Sequence, residues 1–245
     1  MLGYFPRILP MNVVEKSHRA LEKWVEEYGP NPPKDDIRHP EDTDLEELFK
    51  GRYGLVHIGT WDAQGHPFDD PYISHDTLTT SSTKFSHTYQ FLRDLAMLTT
   101  ELSIIFAAFN CTAWSEGRRI VNSLSHLLSV PNIARTCDYE AWTTRAILCN
   151  LFTHVHRNFR DEVFGYAAIA VFGSFTEGDF VVPQLKLKFP FRPGGDVIFV
   201  KGHMLEHFVT PWQPEGHGSG RFSVVHFNHH AVVDWVNTKL EPSPE

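Results

Sequence analysis

The hydrophobic positions of this chain change their spacing part-way along, and the change divides it. Over residues 12–28, Val14, Leu21, Trp24, Val25 and Tyr28 recur on one helical face with Lys and Glu between them, which predicts an amphipathic helix. Gly29, Pro30, Pro32 and Pro33 end it, and a polar loop follows to Pro40. Thr43 is placed to cap a short helix carrying Leu45, Leu48 and Phe49. Gly54 to Gly59 reads as a strand, and Trp61 to Ser82, rich in Asp, Gly, Pro, Ser and Thr, as loop. Residues 85–110 have the length and apolar content of one buried helix, with Phe91, Leu92, Leu95, Leu98 and Ile105, and a second helix is predicted over 114–128.

After Pro131 the pattern shortens. Runs rich in Val, Ile and Phe alternate with Gly/Pro turns at 145–152, 166–175, 179–183, 185–190, 196–201, 206–210 and 221–228. Short strands at regular intervals predict an antiparallel sandwich or barrel. The fold class expected is therefore α+β: a mainly helical part over residues 1–130 packed against a β core over 131–235, together forming one domain, with Glu241 to Glu245 as a loose tail.

Composition narrows the classes. With 245 residues, 42% of them hydrophobic, the chain can bury one substantial core. Phe is the commonest aromatic, which suits packed sheets and wide pockets. A net charge of −8 argues against a surface built throughout for nucleic acid, while leaving room for a local basic groove. Cys111, Cys137 and Cys149 are odd in number and widely spaced, so reduced thiols are expected rather than disulfides or a cysteine zinc site. Met1 to Pro10 is apolar but short and lacks the features of a signal peptide, and no run approaches the length of a membrane span. The expectation is a soluble intracellular protein with no membrane partner; self-association is left open.

The candidate chemistry is in the order of a few polar residues. His156 and Asn158 are two apart, a spacing that puts both side chains on one face of a strand or its end. His207 lies in a second strand-like run, and Arg221 and Ser223 share a face on a third. Two imidazoles and usually one carboxylate on one face suit divalent iron with positions left open, and a guanidinium beside a hydroxyl suits the distal carboxylate of a dicarboxylic cosubstrate such as 2-oxoglutarate. Pro193-Gly194-Gly195 is read as the turn of a hairpin between the ligand strands. With 15 histidines in the chain, any one pair at this spacing is commonplace; the ordered set carries the specificity.

Two segments resemble the TET/JBP family of 2-oxoglutarate- and iron-dependent dioxygenases, which oxidise the methyl group of modified pyrimidines in DNA. His154-Val155-His156-Arg157-Asn158-Phe159-Arg160-Asp161, with Gly165 following, is similar to the family's H-x-H-[KR]-D-x-x-[ND] and its later glycine; Arg221-Phe222-Ser223-Val224-Val225-His226-Phe227-Asn228-His229 is similar to its R-x-S-x-V-x-[YF]-x-H. The stretch from Gly178-Asp179-Phe180 to Thr210-Pro211-Trp212 resembles the expanded TET/JBP-like proteins of mushroom-forming fungi, as does Gly51-Arg52-Tyr53-Gly54. The resemblance implies a double-stranded β-helix, or jelly roll. It implies iron(II) on His156, Asn158 and His207, and 2-oxoglutarate on Arg221 and Ser223. It also implies DNA as partner, with a flipped base stacked on Phe227 and contacted by Asp161 and His229, and a nuclear location.

Asn158 stands where the family pattern has Asp, so a neutral amide replaces a charged ligand. Three readings stay open: Asn158 coordinates weakly; Asp161 or His154 substitutes; or the chain is a jelly-roll binding module without turnover. A small-molecule substrate is a further alternative. His57, His66, His75 and His87 are spare candidate ligands, while His203 reads as structural or supporting. Glu26-Glu27, Asp35-Asp36 and Asp69-Asp70 read as solvated charge pairs. Phe227 could be an ordinary core aromatic, and His229 half of an exposed pair with His230.

Overall fold

The structure, a computed structural model, describes residues 2–33, 38–39, 43–62, 70–78, 82–125, 127, 136–216 and 219–240. Asp35, Asp36, His66 and Asp69 lie outside the described residues. A large antiparallel sheet holds seven strands: β1 (Leu2–Phe5), β10 (Val197–Val200), β6 (Ala167–Gly173), β13 (Arg221–Phe227), β4 (Thr144–Cys149), β2 (Gly54–Trp61) and β3 (Tyr72–Ile73), in that spatial order. A smaller sheet runs β5 (Thr153–His156), β11 (His207–Val209), β8 (Phe180–Val182) and β9 (Leu187–Phe189), and β7 (Phe175–Glu177) pairs with β12 (Trp212–Pro214).

The helices are α1 (Met11–Tyr28), α2 (Thr43–Leu48), α3 (His75–Leu78), α4 (Ser82–Asp94), α5 (Ala96–Phe109), α6 (Cys111–Leu124) and α7 (His230–Trp235), the last running on into a π turn over Val236–Leu240. Alternation on each strand of the large sheet sorts its side chains between two cores. One face sends Val56, Ile58, Ile147, Phe172, Phe199, Phe222 and Val224 against Leu21, Trp24, Leu98 and Phe106 of the helices. The opposite face sends Ala146, Ile169, Val171, Ile198, Val200 and Phe227 into a core shared with Phe180 and Val182 of the small sheet. Strands buried on both sides are apolar at nearly every position, which is why these runs are continuous rather than alternating. Two facing antiparallel sheets with helices on the outer side of the larger one make the expected jelly roll.

The elements depart from the sequence expectation in particular places. Leu2–Phe5 is an edge strand paired with β10, from Leu2 opposite Val200 to Phe5 opposite Val197. The mainly helical part therefore also supplies three strands of the large sheet. The predicted loop contains the end of β2, β3 and α3. The single helix over 85–110 is two, α4 and α5, turning at the buried Leu95. The run 145–152 stops at Asn150, whose φ of 60° takes the chain out of the sheet, a conformation Asn tolerates better than most residues.

The Gly194-Gly195 turn joins β9 to β10 and so crosses between sheets; it is not a hairpin between the ligand strands, which are β5 and β11. Gly195 is required there, since at φ 105° a Cβ would lie 2.8 Å from the Leu9 carbonyl oxygen.

Candidate active site

β13 explains how one strand presents several functional groups. Arg221, Ser223, Val225 and Phe227 are two apart, so all line one cavity of about 740 Å³ between the sheets, while Phe222, Val224 and His226 point to the helices. His156, Asn158, Asp161, His207 and His229 line the same cavity, so the residues assigned to metal, cosubstrate and substrate are gathered in one place.

His156 and His207 are cross-strand partners at the end of β5 and start of β11, with ring centroids 4.5 Å apart. Each ring is oriented by its own backbone: His156 Nδ1 lies 2.7 Å from the His154 carbonyl oxygen and His207 Nδ1 2.9 Å from that of Leu205. A carbonyl only accepts, so Nδ1 carries the hydrogen and Nε2 the lone pair in both, the tautomer a metal requires. Burial, with help from the neighbouring His156, pushes His207 down to about 4, so its ring is neutral near pH 7.

Between these two strands the register slips: His207 faces His156, but Val209 faces Thr153. One strand advances two residues while the other advances three. That bulge breaks the alternation, so Thr153 lines the cavity with His156, while His154 is exposed and does not line it. The spacing rule that made His154 a substitute ligand fails on this extra residue. Asp161 does not replace the missing carboxylate either. Among the described residues, no third His, Cys, Asp or Glu converges with the imidazole pair to hold a metal. The two imidazoles and Asn158 line one cavity, and imidazole nitrogen with an amide oxygen is a donor chemistry that fits a divalent metal.

Arg221 is 1% exposed. Its Nη1 donates to Ser223 Oγ at 2.9 Å, while Nε and Nη2 are buried without an acceptor, and the guanidinium lies 5.3 Å over the Phe175 ring. Burial alone pushes the group down to about 9, still charged at neutral pH. A buried guanidinium that lines the cavity with two donors unsatisfied fits a carboxylate gripped through parallel bonds. Asn150 holds the strand end in place: its side chain accepts from Arg221 N at 2.8 Å and donates to the Arg52 carbonyl at 2.7 Å.

On the cavity's other side, Asp161 and His229 are joined by an isolated antiparallel bridge, flanked by Glu162 N to Asn228 O and His230 N to Arg160 O. His229 is 7% exposed with both ring nitrogens unpartnered, whereas His230 is half-exposed against Glu162 and Asp234. The two are thus not an exposed pair. Burial foremost, with the nearby Arg160, pushes His229 down to about 4. Burial pushes Asp161 up to about 8, against the pull of Arg38 and a hydrogen bond from Asn158. Phe227 both belongs to the inner core and lines the cavity.

Four lining residues, Arg38, Leu55, His57 and Trp61, were not anticipated in this role. Trp61, 4.9 Å from His229 by ring centroids, closes the wall with His57, which is 6.4 Å from Phe227. Leu55, His57 and Trp61 alternate on β2, a signal visible once the strand is extended past Gly59. Arg38 sits in a polar loop with no such signal. Of the other spare histidines, His87 pairs with Glu27, the exposed His75 begins α3, and His203 Nδ1 meets the Asp161 carbonyl at 3.1 Å; none of the three lines the cavity.

Comparison with known proteins agrees on the fold. No protein-family model and no curated protein sequence matches the chain. Among solved structures, NgTET1 in complex with 5mC DNA is similar at a TM-score of 0.60 and 17% identity, over 94% of this chain and 73% of that one. OsALKBH1 (0.45, 13% identity, 92% and 97% covered) and a Pseudomonas putida prolyl-4-hydroxylase (0.40, 9%, 93% and 92%) are more distant. The likeness to NgTET1 shows the fold alone, a jelly roll. Among the described residues, no helix is long and apolar enough to cross a membrane.

Proposed function

We propose that this chain is a 2-oxoglutarate- and iron(II)-dependent dioxygenase of TET/JBP type that oxidises the methyl group of a modified pyrimidine, 5-methylcytosine or thymine, in DNA. One observation carries the reading: a buried guanidinium with two unsatisfied donors opens on the same cavity as two imidazoles whose Nε2 atoms carry the lone pairs. In water-poor surroundings an unpaired cation is costly, and a bound carboxylate offsets that cost.

In this reading His156 and His207 hold the metal through Nε2, and Asn158 completes the set with a neutral oxygen. Arg221 and Ser223 grip the distal carboxylate of 2-oxoglutarate. When bound, the metal and 2-oxoglutarate supply, with oxygen, the oxidising power for hydroxylating a methyl group. The chain's own residues bind, orient and keep water out. A flipped base stacks on Phe227 with Trp61 and His57 as wall, and its polar edge meets His229 and Asp161. The buried, unpartnered nitrogens of His229 favour a substrate with hydrogen-bonding groups there.

The net charge of −8 is not uniform at the opening. Arg38, Arg157 and Arg160 line the cavity, Arg157 lies 5.0 Å over Phe159, and Phe159 is 62% exposed. Cations beside an exposed ring suit a phosphate backbone with an unstacked base. On this reading the protein works in the nucleus, and its 245 residues act as one unit.

Asn158 favours a second reading, a jelly-roll module that binds 2-oxoglutarate without turnover. Incubation with Fe(II), 2-oxoglutarate and duplex oligonucleotides carrying 5-methylcytosine or thymine separates the two. We expect iron-dependent succinate and a hydroxymethylated nucleoside by mass spectrometry. Bound 2-oxoglutarate with no succinate, whatever the substrate offered, establishes the module. Succinate driven by small metabolites but not by DNA replaces the substrate class, and no 2-oxoglutarate binding rejects both readings.

A further inference from the structure

Asn158 leaves the proposed metal position short of a carboxylate, and the surrounding geometry points to how the chain compensates. An asparagine is a useful ligand only when its oxygen, and not its NH₂, faces the metal. Its two ends are nearly alike in size, so something must choose between them.

Several contacts converge on that choice. The Asn158 side chain is hydrogen-bonded to the Asp161 carboxyl, and the loop is closed by Asp161 N donating to the Asn158 carbonyl at 2.9 Å. Gly202 accepts from Asn158 N at 2.9 Å and packs flat beneath the pair. A Cβ on Gly202 would lie 3.1 Å from Asn158 Nδ2 and 3.2 Å from Asp161 Oδ2, which places those two atoms side by side over the glycine. Asp161 is in turn held by its bridge to His229 and by His203 on its carbonyl. The bulge removes His154, and Asp161 does not itself join the imidazoles as a ligand.

We propose that Asp161 is a positioning residue that binds the NH₂ of Asn158 and so presents the amide oxygen to the His156–His207 pair. The atoms lying together over Gly202 are Asn158 Nδ2 and Asp161 Oδ2, so the NH₂ is the end turned to the carboxyl and Oδ1 is the end turned away from it. The proposal rests on the metal-site reading above. It sets this chain apart from a two-histidine, one-carboxylate centre, because an Asp ligand has two equivalent oxygens and needs no such orientation.

That difference supplies the test. Apo protein is titrated with Co(II) without 2-oxoglutarate, following the visible ligand-field absorption, for wild type, Asp161→Asn, Asn158→Asp and the double variant, which exchanges the two residue types. Asp161→Asn is expected to weaken Co(II) binding by roughly 10- to 100-fold in the wild-type background, as loss of a supporting partner does. In the Asn158→Asp background the same change should cost less than about 3-fold, because a symmetric carboxylate has nothing to lose by rotation. Equal losses in both backgrounds overturn the positioning role while leaving the metal site standing. Absence of Co(II) binding in all four proteins overturns the metal site itself.

Discussion

Two buried arginines lie on neighbouring strands of the large sheet and face opposite cores. Arg145 on β4 is fully buried on the helix side, where its Nη2 pairs with the buried Glu140 carboxylate and reaches Thr136 Oγ1 at 3.0 Å. Arg221 on β13 is equally buried on the cavity side, donates from its side chain to Ser223 over the Phe175 ring, and keeps two donors unsatisfied. A protein that seals a cation beside its own anion has made a structural pair. One that seals a cation facing a cavity has left the anion to be supplied from outside. The same side chain, at the same burial, thus separates scaffold from site.

The largest effect that sharpens this contrast is expected at Arg145. Arg145→Met strands Glu140 as a buried charge and should cost about 3–5 kcal/mol in urea unfolding, with 2-oxoglutarate affinity of the folded protein unchanged. Arg221→Met should do the reverse. It removes an unpaired cation, so apo stability should hold or rise, while about 2–5 kcal/mol of 2-oxoglutarate binding disappears in calorimetry. Loss of stability at Arg221 as large as at Arg145 would erase the distinction.

Acid separates the two sides next. His226, beside Arg145, is held well below the ordinary histidine value by burial and then by that cation, and His207 and His229 on the cavity side are pushed down to about 4. For each, the unfolded chain binds its proton first as pH falls below the ordinary value, so stability is complete above that value and drains as pH falls towards the folded pKa. Between pH 6.5 and 5 each histidine should contribute up to about 1.4 kcal/mol per pH unit to the loss. His226→Gln should remove about a third of the slope if all three contribute equally. Asp161, raised to about 8, works the other way: its stabilising share is full at low pH and is lost as pH rises through that value.

Smallest is Gly202→Ala, which touches only the cavity side. A Cβ 3.1 Å from Asn158 Nδ2 forces a shift of a few tenths of an ångström, expected to cost about 1 kcal/mol and to weaken Co(II) binding. Unchanged metal binding would show that Gly202 does not support the Asn158–Asp161 pair.

Much of this was legible beforehand, for a physical reason. Along β13 the period of two places Arg221, Ser223 and Phe227 on one face whatever the neighbouring strands do, and α1 shows its helical stripe outright. What was not legible depends on partners distant in sequence. His154 failed because β5 carries one residue more than β11 between paired positions. His229 looked exposed beside His230 because nothing local announces its bridge to Asp161. Trp61 and Leu2–Phe5 joined the sheet through pairings with strands more than ten residues away, and Asn150's grip on Arg221 spans the chain in the same way.

The most direct measurement is a crystal structure grown anaerobically with Mn(II) and 2-oxoglutarate, read by its anomalous map. The account predicts one metal peak joining Nε2 of His156 and His207, with Asn158 Oδ1 beside it and a 2-oxoglutarate carboxylate on Arg221. A map with no metal between the two imidazoles, or with 2-oxoglutarate bound away from Arg221, contradicts it.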